Sequence, residues 1–80
     1  MTKKEKLLQR FLTNPSSIRY SELVNILSEI GFEEIQAKGS HTKWKHPLLD
    51  KDLVFPVHNN ECKDFYKKQA LKALQQHKLL

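Results

Sequence analysis

The chain has 80 residues, and its 14 basic and 9 acidic side chains give a formal net charge of +5 with the histidines neutral. A chain this short is expected to fold as a single small domain, because it buries only about two-thirds of its unfolded surface. The one cysteine, Cys62, excludes an internal disulfide. The lack of a signal-peptide run or of about 20 consecutive apolar residues predicts a cytoplasmic protein without a membrane span.

The excess positive charge lies in the second half of the chain. Residues 1–37 contain five basic and five acidic side chains, which cancel, whereas residues 38–80 contain nine lysines and four acidic residues. A localised basic surface indicates a polyanionic partner, of which RNA and DNA are the commonest. Charge alone is equally compatible with a role in solubility.

Two helices are predicted in the first part of the chain. Residues 3–13 place their apolar side chains on one stripe at helical spacing. Pro15 ends this helix, because it disfavours helical backbone for the residue before it. The second helix is predicted over residues 21–30, with Ser21 as its N-cap and Gly31 as its C-terminal stop.

Three short runs between residues 33 and 58 alternate apolar and polar residues as strands do. They are "EEIQAK", "HTKWKH" and "DLVFPVH". Pro56 in the third run cannot donate to a ladder, so that strand is expected to lie at an edge of the sheet or to end at Pro56. The order helix, three strands, helix predicts an α+β fold. Its small antiparallel sheet has both helices on one face and solvent on the other.

A final helix is predicted over residues 63–77. Its apolar face is expected to contain Phe65, Tyr66, Ala70, Leu71 and Leu74. Four lysines are expected on its exposed side: Lys63, Lys67, Lys68 and Lys72. These lysines either extend a basic surface or are simply solvated.

The run "KGSHTKWKHP", residues 38–47, surrounds one tryptophan with lysines and histidines. Trp44 is expected to point towards the helices, because an amphipathic ring buries well under a small sheet; base stacking on an exposed ring is the alternative. Period two then sends His41, Lys43 and Lys45 to the open face, each about 7 Å from the next. This row of one imidazole and two ammonium groups suits a phosphate backbone.

His41 is the candidate catalytic residue, because an imidazole titrates near neutral pH and serves as a general acid or base. RNA carries its own nucleophile, the 2′-hydroxyl. Cleavage therefore needs a base, a proton donor for the leaving oxygen and cations near the phosphate, but no metal. The preceding Gly39 and Ser40 predict a turn that lets a ligand approach closely. The plain alternative is a surface histidine on an exposed strand.

The other histidines are weaker candidates. His58 ends the third strand-like run and is expected near the open face, either as a second acid/base group or as a strand-end residue bonded to the backbone. His46 shares the face of Trp44 and is expected in a turn. A metal site is not expected, because the spacings of His41, His46, His58 and Cys62 match no zinc-finger pattern.

Across residues 20–77, four features follow one another in a set order before a lysine-rich helix. They are Gly31-Phe32, Gly39-Ser40-His41, Trp44 and Phe55-Pro56-Val57-His58. This order and spacing resembles the HicA family, small mRNA interferase toxins of prokaryotic toxin–antitoxin pairs. The resemblance implies one HicA-like domain over residues 1–80, with an expected core at residues 20–77 and an extra N-terminal helix at residues 3–13.

The resemblance implies a double-stranded-RNA-binding-like fold, cleavage of mRNA, and neutralisation by a HicB-type antitoxin. No cofactor is expected. It makes His41 the catalytic residue, with His58 as the candidate second acid/base group. RNA contacts are expected from Lys38, Gly39, Ser40, Lys43 and Lys45.

Three features depart from the family's pattern. They are the extra helix, the long link "PLLDKD", and Phe55 where the family often has valine. None of them removes a residue of the expected site. Two other functions stay open: a non-catalytic RNA-binding module of the same fold, and an interaction domain whose basic face meets an acidic protein. Only a ribonuclease requires His41 for more than binding.

Overall fold

The computed structural model of the chain describes residues 2–36, 39–59 and 61–80, with residue 36 through its backbone alone. The elements of these residues are α1 (Lys3–Thr13), a 3₁₀ turn (Pro15–Ser17), α2 (Tyr20–Ile30), β1 (Glu33–Gln36), β2 (His41–Lys45), β3 (Leu53–Pro56) and α3 (Asp64–Gln76). The predicted α+β order is confirmed. Within the described ranges, no helix has the length and apolar character needed to cross a membrane.

The strands form an antiparallel sheet in the order β1–β2–β3, with β2 in the centre. Lys43 lies opposite Ile35 of β1 and Val54 of β3, and Trp44 lies opposite Leu53. Directly opposed residues share a face of the sheet. Trp44 is buried and its neighbour Lys43 is partly exposed, so the predicted register is confirmed.

The core lies between the sheet and the helices. Trp44 and Phe55 contribute the two large sheet side chains and are 2% and 1% exposed. Leu23 and Leu27 from α2 and Leu74 from α3 belong to the same buried cluster. We call this side of the sheet the covered face and the opposite side the open face.

Helix α1 is part of this core rather than an appendage to it. Phe11 is fully buried and belongs to the same cluster as the sheet side chains. Two ion pairs join α1 to α2 in antiparallel order, Lys4 to Glu29 at 2.7 Å and Arg10 to Glu22 at 2.6 Å. The predicted N-terminal helix is therefore confirmed, and it covers apolar surface that the remaining elements leave.

A small hydrogen-bond network fixes the covered side of β2 to the start of α2. The Tyr20 hydroxyl lies 2.8 Å from the Thr42 hydroxyl, and the indole N–H of Trp44 donates to the Tyr20 oxygen at 3.4 Å. Buried polar groups without partners are costly, so this network makes Trp44 and Thr42 compatible with burial. It also holds β2 in the register that turns His41 and Lys43 outward.

The prediction of Ser21 as the cap of α2 is wrong. The helix starts at Tyr20, one residue earlier, with Arg19 as its N-cap. The carboxylate of Glu22 accepts a hydrogen bond from the Arg19 backbone N–H at 3.0 Å and a second from the Arg10 guanidinium. A carboxylate in the first helical turn bonds a free backbone donor as well as a serine hydroxyl does, and here it also joins α1.

The predicted faces of α3 are wrong at two positions. Lys67 was expected on the exposed side and is 4% exposed, whereas Phe65 was expected on the apolar face and is 66% exposed. The buried stripe of the helix runs through Lys67, Ala70, Leu71 and Leu74, which is the spacing of one helix face. Phe65 lies two residues before this stripe, about 200° around the helix, and so points away from the core.

Candidate active site

A turn built by Gly39 and Ser40 leads into β2 at the edge of the open face. Gly39 has φ +67°, a left-handed conformation that glycine adopts without steric cost. A Cβ there would meet no atom within 4 Å, so the backbone angle and not crowding favours glycine. The Ser40 carbonyl accepts a hydrogen bond from the Val57 N–H at 2.8 Å, which extends the β2–β3 ladder up to His41.

The open face of β2 carries His41, Lys43 and Lys45, which we call the basic row. His41 and Lys45 are exposed and Lys43 is partly exposed. A two-residue step along a strand is about 7 Å, so the three side chains stand at similar intervals. The prediction that alternation brings these side chains to one face is confirmed.

Lys43 has an ionic neighbour that the sequence reasoning missed. Its ammonium nitrogen lies 3.7 Å from Oδ2 of Asp52, just before β3. The structure pairs Lys43 with Val54, which places residue 52 on the diagonal across the two strands, but residue spacing alone gave no signal for this register. At this distance the attraction is Coulombic and partly screened, so Lys43 remains able to meet a phosphate.

The open face is not purely basic. Around Lys43 it also carries the partly buried Ile35 and the exposed Val54. Glu33 lies opposite Lys45 and adds an acidic side chain at the β1 edge. The face therefore combines a cationic line with a small apolar surface.

His58 lies at the same end of the sheet as His41. It follows by two residues Pro56, the strand partner of His41, and is exposed. Its backbone exchanges two 2.9 Å hydrogen bonds with Glu61 around a turn in which Asn59 has φ +53°. The backbone bonding anchors this turn and leaves the imidazole in solvent.

His46 is a structural residue. Its Nδ1 accepts a hydrogen bond from the Leu48 N–H at 3.0 Å, and its Nε2 lies 3.3 Å from the Ile30 carbonyl oxygen. These two contacts require the tautomer that carries the proton on Nε2. The ring also packs against Phe32 at a centroid distance of 4.9 Å. His46 therefore ties β2 to the end of α2 and does not belong to the basic row.

The remaining candidates add no further chemistry. Cys62 is buried, and this burial raises the pKa of its thiol and keeps it protonated. In the part of the chain that the structure describes, no three side chains of His, Cys, Asp or Glu come together as metal ligands would. Lys38, the first residue of the basic run, lies outside the described residues.

A comparison with protein-family models matches residues 20–76 to the family described as HicA toxin of bacterial toxin-antitoxin. The match begins with α2, spans the whole sheet and ends with α3, so it leaves α1 outside. This helix–sheet–helix order agrees with the double-stranded-RNA-binding-like fold that the resemblance implied. No curated protein and no solved structure matches the chain. Because the family match covers well over half of the 80 residues, the chain belongs to the HicA family of toxins, which act in pairs with antitoxins.

Proposed function

We propose that the chain is an mRNA-cleaving toxin, an endoribonuclease that uses His41 as its general base and needs no metal. The observation that carries this proposal is the position of His41. It is exposed at the first residue of β2, directly after the Gly39–Ser40 turn, and in one row with two lysines.

In the proposed reaction, His41 removes the proton from a ribose 2′-hydroxyl. The 2′-oxygen attacks the adjacent phosphorus, and the bond from phosphorus to the 5′-oxygen of the next nucleotide breaks. The products are a 2′,3′-cyclic phosphate and a 5′-hydroxyl, which takes its proton from His58 or from water. General acid–base help of this kind is typically worth about 10² to 10⁴ in rate.

The two lysines of the basic row supply the electrostatic part of the mechanism. Negative charge accumulates on the phosphate oxygens as the 2′-oxygen attacks, and ammonium groups placed in advance stabilise that charge. Lys43 and Lys45 extend from a strand whose covered side is bonded to the core, so their backbone positions are fixed. Gly39 and Ser40 keep the approach to His41 open on the other side.

The antitoxin partner is proposed to be of the HicB type and to bind the open face. That face offers the partly buried Ile35 and the exposed Val54 beside Lys43 and Lys45. A protein with an acidic and apolar surface complements this combination, and its binding would cover His41.

Cleavage of RNA in the presence of a chelator tests the proposal. The wild-type chain should produce cyclic-phosphate ends, and His41→Gln should lose activity by about 10² or more while keeping its unfolding temperature. Lys6→Gln, which removes an exposed cationic side chain from α1, is the control and should cleave normally. Growth arrest of a bacterial host should follow the same pattern.

Two results would contradict the proposal in different ways. Cleavage by a folded His41→Gln chain would transfer the catalytic role to His58, which a His58→Gln variant then tests. Salt-dependent RNA binding by a wild-type chain that never cleaves RNA would make the protein a binding module instead.

A further inference from the structure

A groove runs between the β2–β3 connection and the outward side of α3. Its volume is about 780 Å³. We call it the α3 groove and define it by the side chains that carry charge or aromatic surface into it. They are Asp50, Lys51, Asp52, Phe65, Lys68, Lys72 and His77.

Phe65 is the most unusual side chain of the α3 groove. It is 66% exposed, more than any other large hydrophobic side chain of the described residues. The ring of Tyr66 meets it nearly at right angles, at 85° and a centroid distance of 5.2 Å, and leaves most of the Phe65 side chain uncovered. An exposed aromatic ring contributes little to folding, but it offers a surface on which a nucleic-acid base stacks.

Lysines flank this ring on the same side of the helix. Lys68 and Lys72 follow Phe65 by three and seven residues, which places all three on one helical face. Both lysines are exposed, and Lys51 stands across the groove. None of the ion pairs formed by the described residues involves these three lysines. Their ammonium groups are therefore available to phosphates.

The α3 groove is continuous with the basic row through one residue. Asp52 lines the groove, and its carboxylate lies 3.7 Å from the ammonium nitrogen of Lys43. The pair marks the place where the open face passes over the start of β3 into the groove. A single strand of RNA that crosses His41 and Lys43 therefore meets the groove with its adjacent nucleotides.

We infer that the α3 groove binds single-stranded RNA next to the scissile phosphate, with a base stacked on Phe65 and phosphates held by Lys68 and Lys72. This inference rests on the proposed function, since the basic row defines where the scissile phosphate lies. The two acids of the groove do not oppose it, because Asp52 is paired with Lys43 and Asp50 is outnumbered by the three lysines that line the same groove. Unpaired cations around one aromatic ring fit RNA better than a protein helix, which needs a continuous apolar seam.

Binding is measured with a labelled single-stranded RNA of about twelve nucleotides, within the range of known single-strand site sizes. All chains carry His41→Gln so that the RNA stays intact. Phe65→Ala should weaken binding roughly tenfold, which is the effect of losing one stacked base. The double variant Lys68→Ala/Lys72→Ala should lower the slope of log affinity against log salt by about 1.4, or about 0.7 for each phosphate contact.

The matched control for charge is Lys3→Ala/Lys6→Ala, which removes two exposed lysines from α1. It should leave the slope nearly unchanged. In the wild-type background, cleavage of a dinucleotide should be insensitive to Phe65→Ala, whereas cleavage of the longer RNA should fall with binding, because only the longer RNA reaches the groove.

Unchanged RNA affinity in Phe65→Ala would overturn the inference. The same would follow if the α1 control lowered the slope of log affinity against log salt as much as Lys68→Ala/Lys72→Ala does. Unchanged RNA affinity together with weaker binding of the antitoxin would overturn it in favour of a protein occupant. Weaker RNA binding by both groove variants, with a wild-type chain that cleaves no RNA, would uphold the groove and contradict only the catalytic proposal.

Discussion

The two faces of β2 carry side chains with different roles. The covered face carries Trp44 and Thr42, which are bonded to Tyr20 within the core. The open face carries His41 and Lys43, and no described hydrogen bond of their side chains joins them to the core. Because strand side chains alternate with period two, one five-residue strand holds both sets without mixing them.

This division has a consequence for variants of the protein. Substitutions on the covered face should change the free energy of unfolding and leave activity per folded molecule intact. Substitutions on the open face should do the reverse. A slip of one residue in the register of β2 would exchange the two sets of side chains, and both stability and activity would be lost. The hydrogen bonds of Tyr20 fix this register, so they protect the site as well as the core.

Loss of Trp44 should produce the largest effect on stability. Trp44→Ala is expected to lower the free energy of unfolding by about 3–5 kcal/mol, because it opens a cavity in the centre of the core and removes a buried aromatic ring. Small domains have only about 5–15 kcal/mol in total. Urea unfolding measures the loss. The control is Lys45→Ala, one residue along on the open face, which should change the free energy of unfolding by less than about 0.5 kcal/mol. Similar losses in the two variants would remove the distinction between the faces.

Removal of one hydroxyl tests the network under the sheet. Tyr20→Phe leaves the Trp44 indole N–H without its acceptor and should cost about 1–3 kcal/mol. Tyr66→Phe is the matched control, because the Tyr66 hydroxyl takes part in no hydrogen bond among the described residues. If Tyr20→Phe leaves the urea midpoint unchanged, the network does not hold β2. RNA cleavage per folded molecule should be the same in both variants.

Alternation explains why the sheet and the basic row were predictable from sequence. The residues "HTKWK" allow only two orientations, and burial of Trp44 selects the one that exposes Lys43 and Lys45. The faces of α3 were not predictable in the same way, because Phe65 and Tyr66 suggest one apolar stripe while Ala70, Leu71 and Leu74 define another. Tertiary packing decided between them and buried Lys67, whose ammonium nitrogen lies 3.8 Å from Oδ1 of Asp64.

Contacts between elements distant in sequence were missed for a different reason. The ion pair of Lys43 with Asp52 depends on how the long β2–β3 connection enters β3, and residue spacing does not encode that path. The Glu22 contacts depend on where α1 packs. The α3 groove was unpredictable for both reasons. Its lining depends on which face of α3 carries Phe65 and on the path of the β2–β3 connection.

The decrease of the free energy of unfolding at acid pH should depend in part on Glu22, which lies at the junction of α1 and α2. The Arg19 backbone N–H, and after it the Arg10 guanidinium, hold the pKa of this carboxyl below its usual value of 4.5 against the opposing effect of partial burial. A carboxyl with a lowered pKa in the folded state stabilises the protein above its unfolded pKa, and this contribution is lost as pH falls through the folded pKa. Glu22→Gln should therefore destabilise the chain by about 1 kcal/mol or less at pH 7.

At pH 3 the difference between the wild type and Glu22→Gln should be smaller than at pH 7. Urea unfolding at the two pH values measures it, and Glu5→Gln on the exposed side of α1 is the control for a general loss of negative charge. A difference that stays constant between the two pH values would show that the ionised carboxylate is not what stabilises this junction.

The smallest expected effect concerns the balance of charge on the open face itself. Asp52 competes with RNA for Lys43, because its carboxylate already lies near the ammonium group. Exposed pairs of this kind are worth about 0.2–1 kcal/mol, so Asp52→Asn should tighten RNA binding by at most about fivefold in a His41→Gln chain. Asp50→Asn, two residues earlier in the same connection, removes the same charge without this pair and should have less effect.

A double-mutant cycle separates the ion pair from the general field of the connection. Lys43→Ala alone should weaken binding to all RNA sequences by a similar factor, as expected for a phosphate contact. If Asp52 acts by holding Lys43, the increase in RNA affinity caused by Asp52→Asn should be smaller in the Lys43→Ala background. A gain that is the same in both backgrounds would mean that Asp52 repels RNA directly, and a change of sequence preference in Lys43→Ala would mean that this lysine contacts bases.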